Sequence, residues 1–262
     1  MLYPRIIPTL LVHNKGLVKT IKFKDPKYVG DPINAVKIFN EKEVDELVVL
    51  DIDASVQNRE PDYKMIENLA AECRMPLCFG GGIKTTEQAQ RIFSLGVEKI
   101  AISSLAVQNP NIITQIAEKV GNQSVVVVLD VKRKLFSAKY EIFTHNAKKS
   151  TGIEPIIFAK KMQDLGAGEI IINSIDNDGM MTGFDLELIE KIRNQISIPL
   201  TVSGGAGSLD DIGKVIQKHG IIGVSAGSLF VFKGKYRAVL INYPTPFEKS
   251  ALINKYFLPY WS

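Results

Sequence analysis

The sequence predicts a single (β/α)₈ TIM barrel of the α/β class, and three observations carry that reading. Short apolar runs alternate with amphipathic stretches eight times along the chain. No linker rich in Gly, Pro or Ser breaks the alternation at its midpoint. The halves also repeat: residues 10–12 match 129–131, 46–49 match 169–172, 80–83 match 204–207 and 101–104 match 225–228, at an offset near 119–124 residues. A chain of 262 residues suits one barrel of about 250 residues, or two domains of roughly 100–150. The unbroken alternation selects one domain over 1–262, with half-barrels near 1–122 and 123–240 and a divergent tail over 241–262.

The elements follow in order. Residues 6–11 read as a strand, and Asp31 is placed to cap a helix over 32–40. A strand at 47–52 precedes a helix at 62–72. A short strand at 77–79 precedes a helix at 86–95, which Gly96 ends. The strand 99–102 leads to a helix at 111–120, ended by Gly121. Residues 125–130 are apolar without alternation, so this strand is expected to be buried on both faces. Residues 132–143 read as a hairpin excursion. Helix 154–165, strand 169–173, helix 185–195, strand 200–203, helix 209–218 and strand 222–226 complete the count. A last helix belongs within 234–260.

Composition excludes several classes. Hydrophobic residues make up 45% and charged residues 23%, enough apolar surface to offset ordering entropy, so the chain is not disordered. No apolar run approaches the roughly 20 residues of a membrane span. Residues 1–5 lack the apolar core of a signal peptide, which points to the cytoplasm. The net charge of +4 is dispersed, apart from a basic stretch over 15–27. It favours no nucleic-acid partner, and suits either a phosphorylated substrate or a solvated loop. Cys73 and Cys78 form no CxxC pair and have no His nearby. Two buried, unpaired thiols in a reducing compartment are expected, with no metal and no cofactor.

Two glycine loops carry the first chemical signal. Gly80-Gly81-Gly82 follows the third strand and Gly204-Gly205-Ala206-Gly207 the seventh. Glycine lets backbone amides approach an anion closely. Ser103 and Ser104 after the fourth strand, and Ser228 after the eighth, supply hydroxyls beside them. A lone loop of this kind signals only a tight turn. Two of them, each paired with a serine-bearing loop, predict phosphate sites on opposite sides of the barrel, for a long ligand with a phosphate at each end.

Carboxylates at the strand ends carry the second signal. Asp130 terminates an otherwise apolar strand and reads as a general base. Asp53 and Asp176 read as loop caps, while Asp51 and Asp178 suit either role. At the other end Arg5, Glu46, Lys99 and Glu169 precede the first, second, fourth and sixth strands. On the residues alone they read as a structural salt-bridge layer.

With these motifs the chain resembles the cyclase subunit of imidazole glycerol phosphate synthase, over nearly its full length to about Phe232. Arg5-Ile6-Ile7-Pro8, Gly30-Asp31-Pro32, Leu50-Asp51-Ile52, Gly80-Gly81-Gly82-Ile83, Ser174-Ile175-Asp176 and Ser203-Gly204-Gly205-Ala206-Gly207 carry the likeness. The resemblance implies a two-fold barrel with a glutaminase subunit docked on its N-terminal face. Ammonia passes through the barrel to a bis-phosphorylated ribulosyl intermediate and yields imidazole glycerol phosphate. It assigns phosphate binding to Gly81, Gly82, Gly205 and Ser228, with Ser103 and Ser104 where the family has Asn and Thr. It makes Asp130 the base, adds Lys19, Asp51 and Asp178 to the active site, and turns Arg5, Glu46, Lys99 and Glu169 into an ammonia gate.

One position departs from that pattern. The family places an Asp at the end of the first strand as general acid, and here it is Leu11. Leucine can neither give nor take a proton. His13, two residues on, is either a displaced substitute or a loop histidine. With Gly227-Ser228-Leu229-Phe230-Val231-Phe232 this resembles a divergent branch linked to acetamidino-sugar biosynthesis, where ammonia goes to a separate amidotransferase. Three functions follow in order: an ammonia-delivering paralogue, a histidine-pathway cyclase, and a sugar-phosphate isomerase of the same fold.

Overall fold

Eight parallel strands hydrogen-bond in chain order, and the eighth returns to the first. The computed structural model describes residues 3–134, 137 and 139–261. Its barrel strands are β1 (Arg5–His13), β2 (Leu47–Asp51), β3 (Leu77–Gly80), β4 (Lys99–Ile102), β5 (Val125–Arg133), β6 (Glu169–Ser174), β7 (Leu200–Ser203) and β8 (Gly223–Ala226). Every neighbouring pair around the ring is parallel. β1 therefore stands across the ring from β5, and β3 and β4 stand across from β7 and β8, as the repeat predicts.

Eight helices wrap the ring: α1 (Pro32–Glu41), α2 (Tyr63–Glu72), α3 (Thr86–Ser94), α4 (Ile112–Val120), α5 (Pro155–Asp164), α6 (Leu186–Arg193), α7 (Leu209–His219) and α8 (Pro246–Tyr256). Asp31, Asp62, Thr85, Glu154, Asp185, Ser208 and Thr245 each accept an amide N–H from the first turn of their helix. Residues 62, 154 and 185 are thus caps rather than first helical residues. The sequence reading starts those helices one residue early because a cap continues the polar pattern of the turn it closes, and it ends the second and third one and two residues late.

Two apolar layers hold the barrel. The larger lies between strands and helices and buries Phe39, Phe79, Phe230 and Phe257. The smaller fills the lumen with Ile7, Val48, Cys78, Ala101, Val126, Val128 and Ile171, and with Leu50 beside them. Residues 125–129 are buried throughout, as expected, because alternate side chains enter the two layers. Cys73 and Cys78 are unpaired; Cys78 is buried as expected, but Cys73, which caps the C-terminal end of α2, is only half-buried. No described helix is long and apolar enough to cross a membrane.

The strand after β1 was not foreseen. The chain turns back as an antiparallel hairpin, Gly16–Ile21 and Lys24–Gly30, and Leu11 pairs with Val18. Its tip, Lys22 and Phe23, has φ of 51° and 63° without the Asn or Gly that announces such a turn. The hairpin expected over 132–143 exists and extends further. β5 pairs with Tyr140–Thr144, which pairs with Lys149–Ser150. Leu135, Phe136 and Ala138 of that excursion lie outside the described residues. Short helices at Ser104–Gln108, Ser228–Val231 and Leu258–Trp261 were also missed.

The last helix expected within 234–260 is α8, and it packs on α7. Tyr243 Oη donates to the Ile6 carbonyl at 2.9 Å. Lys249 pairs with Asp45, and the Tyr256 hydroxyl donates to Asp210. Phe257 is 1% exposed. Phe257→Ala should cost about 3–5 kcal/mol, the usual cost of emptying a fully buried aromatic site. Urea unfolding measures this, and an unchanged midpoint would mean the tail adds nothing to the fold.

Candidate active site

A ring of four charges closes the base of the lumen. Arg5 bonds Glu46 and reaches Glu169 at 2.7 Å. Lys99 Nζ lies 2.9 Å from both Glu46 and Glu169. Thr201, fully buried, donates its hydroxyl to Glu169. The carboxylates are almost wholly buried, Glu46 at 4% and Glu169 at 3% exposed. Burial favours the neutral acid at Glu169, but Arg5 and Lys99 together outweigh it and hold the group below the usual carboxylate range. Stability from this pairing is complete above the unfolded carboxylate pKa and is lost as pH falls through the lowered native value. All four residues predicted to meet do meet.

Above the ring runs the apolar sleeve, and above that the lumen opens into a cavity of about 440 Å³ at the C-terminal ends of the strands. Gly81, Gly82, Ser103 and Ser104 line one side, and Gly205 and Ser228 line the side supplied by β7 and β8. Gly81 and Gly205 have φ of 120° and 121°. A side chain at either would drive into a backbone carbonyl, that of Asp51 or of Gly183. Both positions therefore need glycine for the turn itself, and the turns present two matching corners for an anion.

Between the corners stand the ionisable groups. Asp130, at the inner face of β5, is pushed up to about 7. Burial is the main cause, the Asn173 amide pulls it down, and the charge of Asp178 adds to the rise. Asn173 Nδ2 donates to Asp130 Oδ1 at 3.2 Å. Burial lowers Lys19 to about 8 against the attraction of Asp178, and its ammonium donates to the Thr9 carbonyl. Asp178 is itself raised by burial, which bonds from Thr20 Oγ1 at 2.8 Å and the Phe23 amide at 3.2 Å oppose. The unforeseen first hairpin is what carries Lys19 and Thr20 into the mouth.

Leu11 lines the same cavity and lies in register with Leu50 on β2. At this position the β1 side of the mouth thus shows hydrocarbon and no ionisable group. His13 lies two residues further along β1, about 6.6 Å by strand geometry, and its Nδ1 is 2.7 Å from Asp53 Oδ1. Asp53 also accepts the Asn14 amide, and Asp176 accepts that of Arg133, so both have capping bonds. Asp51 lines the mouth, but Arg59 Nη2 donates to both its oxygens at 3.1 Å, and the Asp53 and Ala54 amides add two more bonds. These four bonds organise its loop.

Asn173, Arg59 and Asn146 were not singled out in the sequence. Asn173 carried the signal that marked Asp130, a polar residue ending an apolar strand. Asn146 sits at the tip of the second hairpin and donates to the Ile52 carbonyl at 2.9 Å, across the mouth. No three His, Cys, Asp or Glu side chains among the described residues are grouped to hold a metal ion.

The comparisons with known proteins agree with this architecture. The sequence profile described as "Histidine biosynthesis protein" matches residues 5–237. The chain belongs to the histidine biosynthesis protein family. Its relatives include a Vibrio vulnificus protein, 61% identical over 249 residues, covering 95% of this chain and 96% of the relative. A Leptospira interrogans protein is 60% identical over 252 residues, with 96% and 99% covered. A Pseudomonas aeruginosa protein is 52% identical over 244 residues, with 93% and 97% covered. Each carries the provisional name of an imidazole glycerol phosphate synthase subunit. The resemblance read from the sequence holds at the level of this family.

The environment of Asp130 has a measurable consequence. A carboxyl with a native pKa of about 7 against about 3.9 unfolded keeps its proton longer in the folded state. Stability should therefore fall as pH rises from about 4 to about 7 and then level off. Asp130→Asn should remove that decline and stabilise the fold above pH 7 by a few kcal/mol at most. Chemical unfolding of both proteins across pH checks it, and parallel curves would show that Asp130 titrates normally.

Proposed function

We propose that this chain is the cyclase-type subunit of a glutamine amidotransferase complex of the imidazole glycerol phosphate synthase type. A glutaminase subunit would dock on the N-terminal face, and ammonia would pass the ring of Arg5, Glu46, Lys99 and Glu169 into the lumen. The glycine–serine corners would each take one phosphate of a bis-phosphorylated ligand. Leu11 is the observation that sets the finer reading. Acid–base catalysis commonly contributes about 10²–10⁴-fold, and here the base Asp130 has hydrocarbon where its acid should be. We therefore assign the chain to ammonia delivery, to a separate amidotransferase of acetamidino-sugar biosynthesis for surface polysaccharides, in the cytoplasm.

The poise of Asp130 favours a second reading, a histidine-pathway cyclase that still forms imidazole glycerol phosphate and aminoimidazole carboxamide ribotide. A base near pH 7 is tuned for proton transfer. One experiment separates the two. Given ammonia and the ribulosyl intermediate, the purified chain should turn over slowly or not at all, and Leu11→Asp should raise the rate by about 10²-fold or more. Brisk turnover by the native chain, abolished in Asp130→Asn, would favour the histidine pathway instead.

The ring has its own test. Lys99→Met removes one cation and leaves two buried carboxylates short of charge. With the glutaminase subunit bound and the accepting amidotransferase present, product formed from glutamine should fall several-fold relative to product formed from added ammonia. An unchanged ratio would mean the ring is structural and the lumen is not the route.

A further inference from the structure

Charge is spread unevenly over this chain. The segments 14–30, 132–150 and 232–240 together hold fourteen Lys and Arg against two acids, Asp25 and Glu141, and the rest of the chain holds eighteen against twenty-six. The three segments follow β1, β5 and β8, and each folds back as a hairpin beside the mouth. The first sends Thr20 and Phe23 to the cavity wall, and the second sends His145 and Asn146. The third pairs Phe232–Lys233 with Ala238–Val239. It is fastened to the first, because Lys27 Nζ donates to the Arg237 carbonyl at 3.5 Å and lies 5.2 Å from the centre of the Phe232 ring. Arg237 Nη2 in turn donates at 3.1 Å to the carbonyl of Gly179, a residue of the cavity wall. A basic crown therefore stands round the mouth of a barrel whose other residues carry a net negative charge.

Most of this charge does not serve the cavity. Lys22, Lys24, Lys132, Lys149 and Lys235 are exposed, form no ion pair among the described residues and take no part in the cavity wall. Apolar side chains stand in water among them. Tyr236 is 90% and Tyr28 65% exposed, and Ile21, Val239 and Leu240 are exposed as well. A small anion in the glycine corners needs neither outward lysines nor exposed rings. Strand 24–30 pairs on one side only, and lysines with Pro26 guard such an edge against strand addition. That guard accounts for Lys24 and Lys27, but not for Lys235, Tyr236 or Leu240 on the third hairpin. Exposed rings among unpaired charges have the composition of a protein-binding surface, with rings for contact and charge for approach. The aliphatic side chains of Ile21, Val239 and Leu240 neither stack on bases nor bind phosphates, which favours a protein over a nucleic acid.

We propose that this crown is a docking platform for an acidic protein surface, the face of the enzyme that takes ammonia from the mouth. The identity of the occupant rests on the reading of this chain as an ammonia-delivering subunit. Its acidic character rests on the charge of the platform alone. Docking there covers the end of the lumen opposite the ring of Arg5, Glu46, Lys99 and Glu169, so that ammonia leaving the barrel enters the partner and not the solvent. The lysines set the rate of approach and its dependence on salt. Tyr28 and Tyr236 hold the contact once it is made.

The test is association kinetics. The full-length chain, with its glutaminase subunit bound, is immobilised, and the accepting amidotransferase is passed over it at low and at high salt. The native pair should associate faster at low salt. Lys24→Glu combined with Lys235→Glu should slow association by about tenfold or more. Tyr236→Ser should speed dissociation several-fold. Lys161→Glu, a reversal on the exposed side of α5 away from the hairpins, should change neither rate. Lys235→Glu alone stands in if the double variant misfolds. Unchanged rates in the platform variants would overturn the platform, as would an equal loss in the α5 control. A single-stranded oligonucleotide that binds the native chain more tightly than the amidotransferase does, and is lost with the same lysines, would overturn it in favour of a nucleic-acid surface. The turnover experiment described above separates this from the wider reading. Slow turnover without docking removes the platform and leaves the delivery role. Brisk turnover beside docking that the variants lose leaves the platform and removes the delivery role.

Discussion

Register is the constraint on which everything else in this molecule depends. Eight parallel ladders fix each strand against its neighbours, and a strand shows alternate residues to opposite faces. Once the ring closes, every second residue of each strand is committed to the lumen. Arg5, Ile7, Thr9 and Leu11 climb β1, and Glu169, Ile171 and Asn173 climb β6. The result is a column in levels: ions at the base, hydrocarbon in the middle, ionisable groups at the mouth. A slip of one residue in any strand would place its ion among the helices and its core residue in the column.

The levels differ in what they tolerate. The base brings four charges together where Glu46 and Glu169 are nearly dry, so it is stable only as a complete set; removing one partner strands another. The sleeve asks only for volume. It is at the mouth that Asp130, Asp178 and Lys19 all depart from their ordinary pKa values. Perturbed acids and bases gather where chemistry or binding is expected.

Much of this was legible in the sequence, for reasons that individual residues make clear. The barrel was legible because apolar periodicity is local and strong, and its duplication placed the glycine loops on opposite sides. The ring was legible because its members each precede an apolar run. Leu11 was legible only through the family resemblance, since a leucine ending a strand signals nothing by itself. The first hairpin was hidden: the polar run Lys24–Gly30 pairs on its partner without an apolar period, and the tip turns through Lys22 and Phe23 instead of a turn-forming pair. Asp51 could not be resolved between capping and catalysis, because its partner Arg59 stands eight residues away in a loop whose path only the fold defines. Asn173 was overlooked as the end of a strand. Its meaning lies in the neighbour that register supplies, 43 residues earlier in the chain.

The fastening of Tyr243 to Ile6 spans 237 residues, and β8 closes on β1 over nearly the same distance in sequence. The segment over 243–249 thus grips the first strand next to Arg5 and, through Lys249 on Asp45, next to Glu46. Until β8 pairs with β1 the barrel is an open sheet with two raw edges, and long-range closure of this kind is slow and exposes strand edges while it waits. The seam where β8 meets β1 and the clasp of Tyr243 and Lys249 therefore fasten the ring at one place, beside its buried ions.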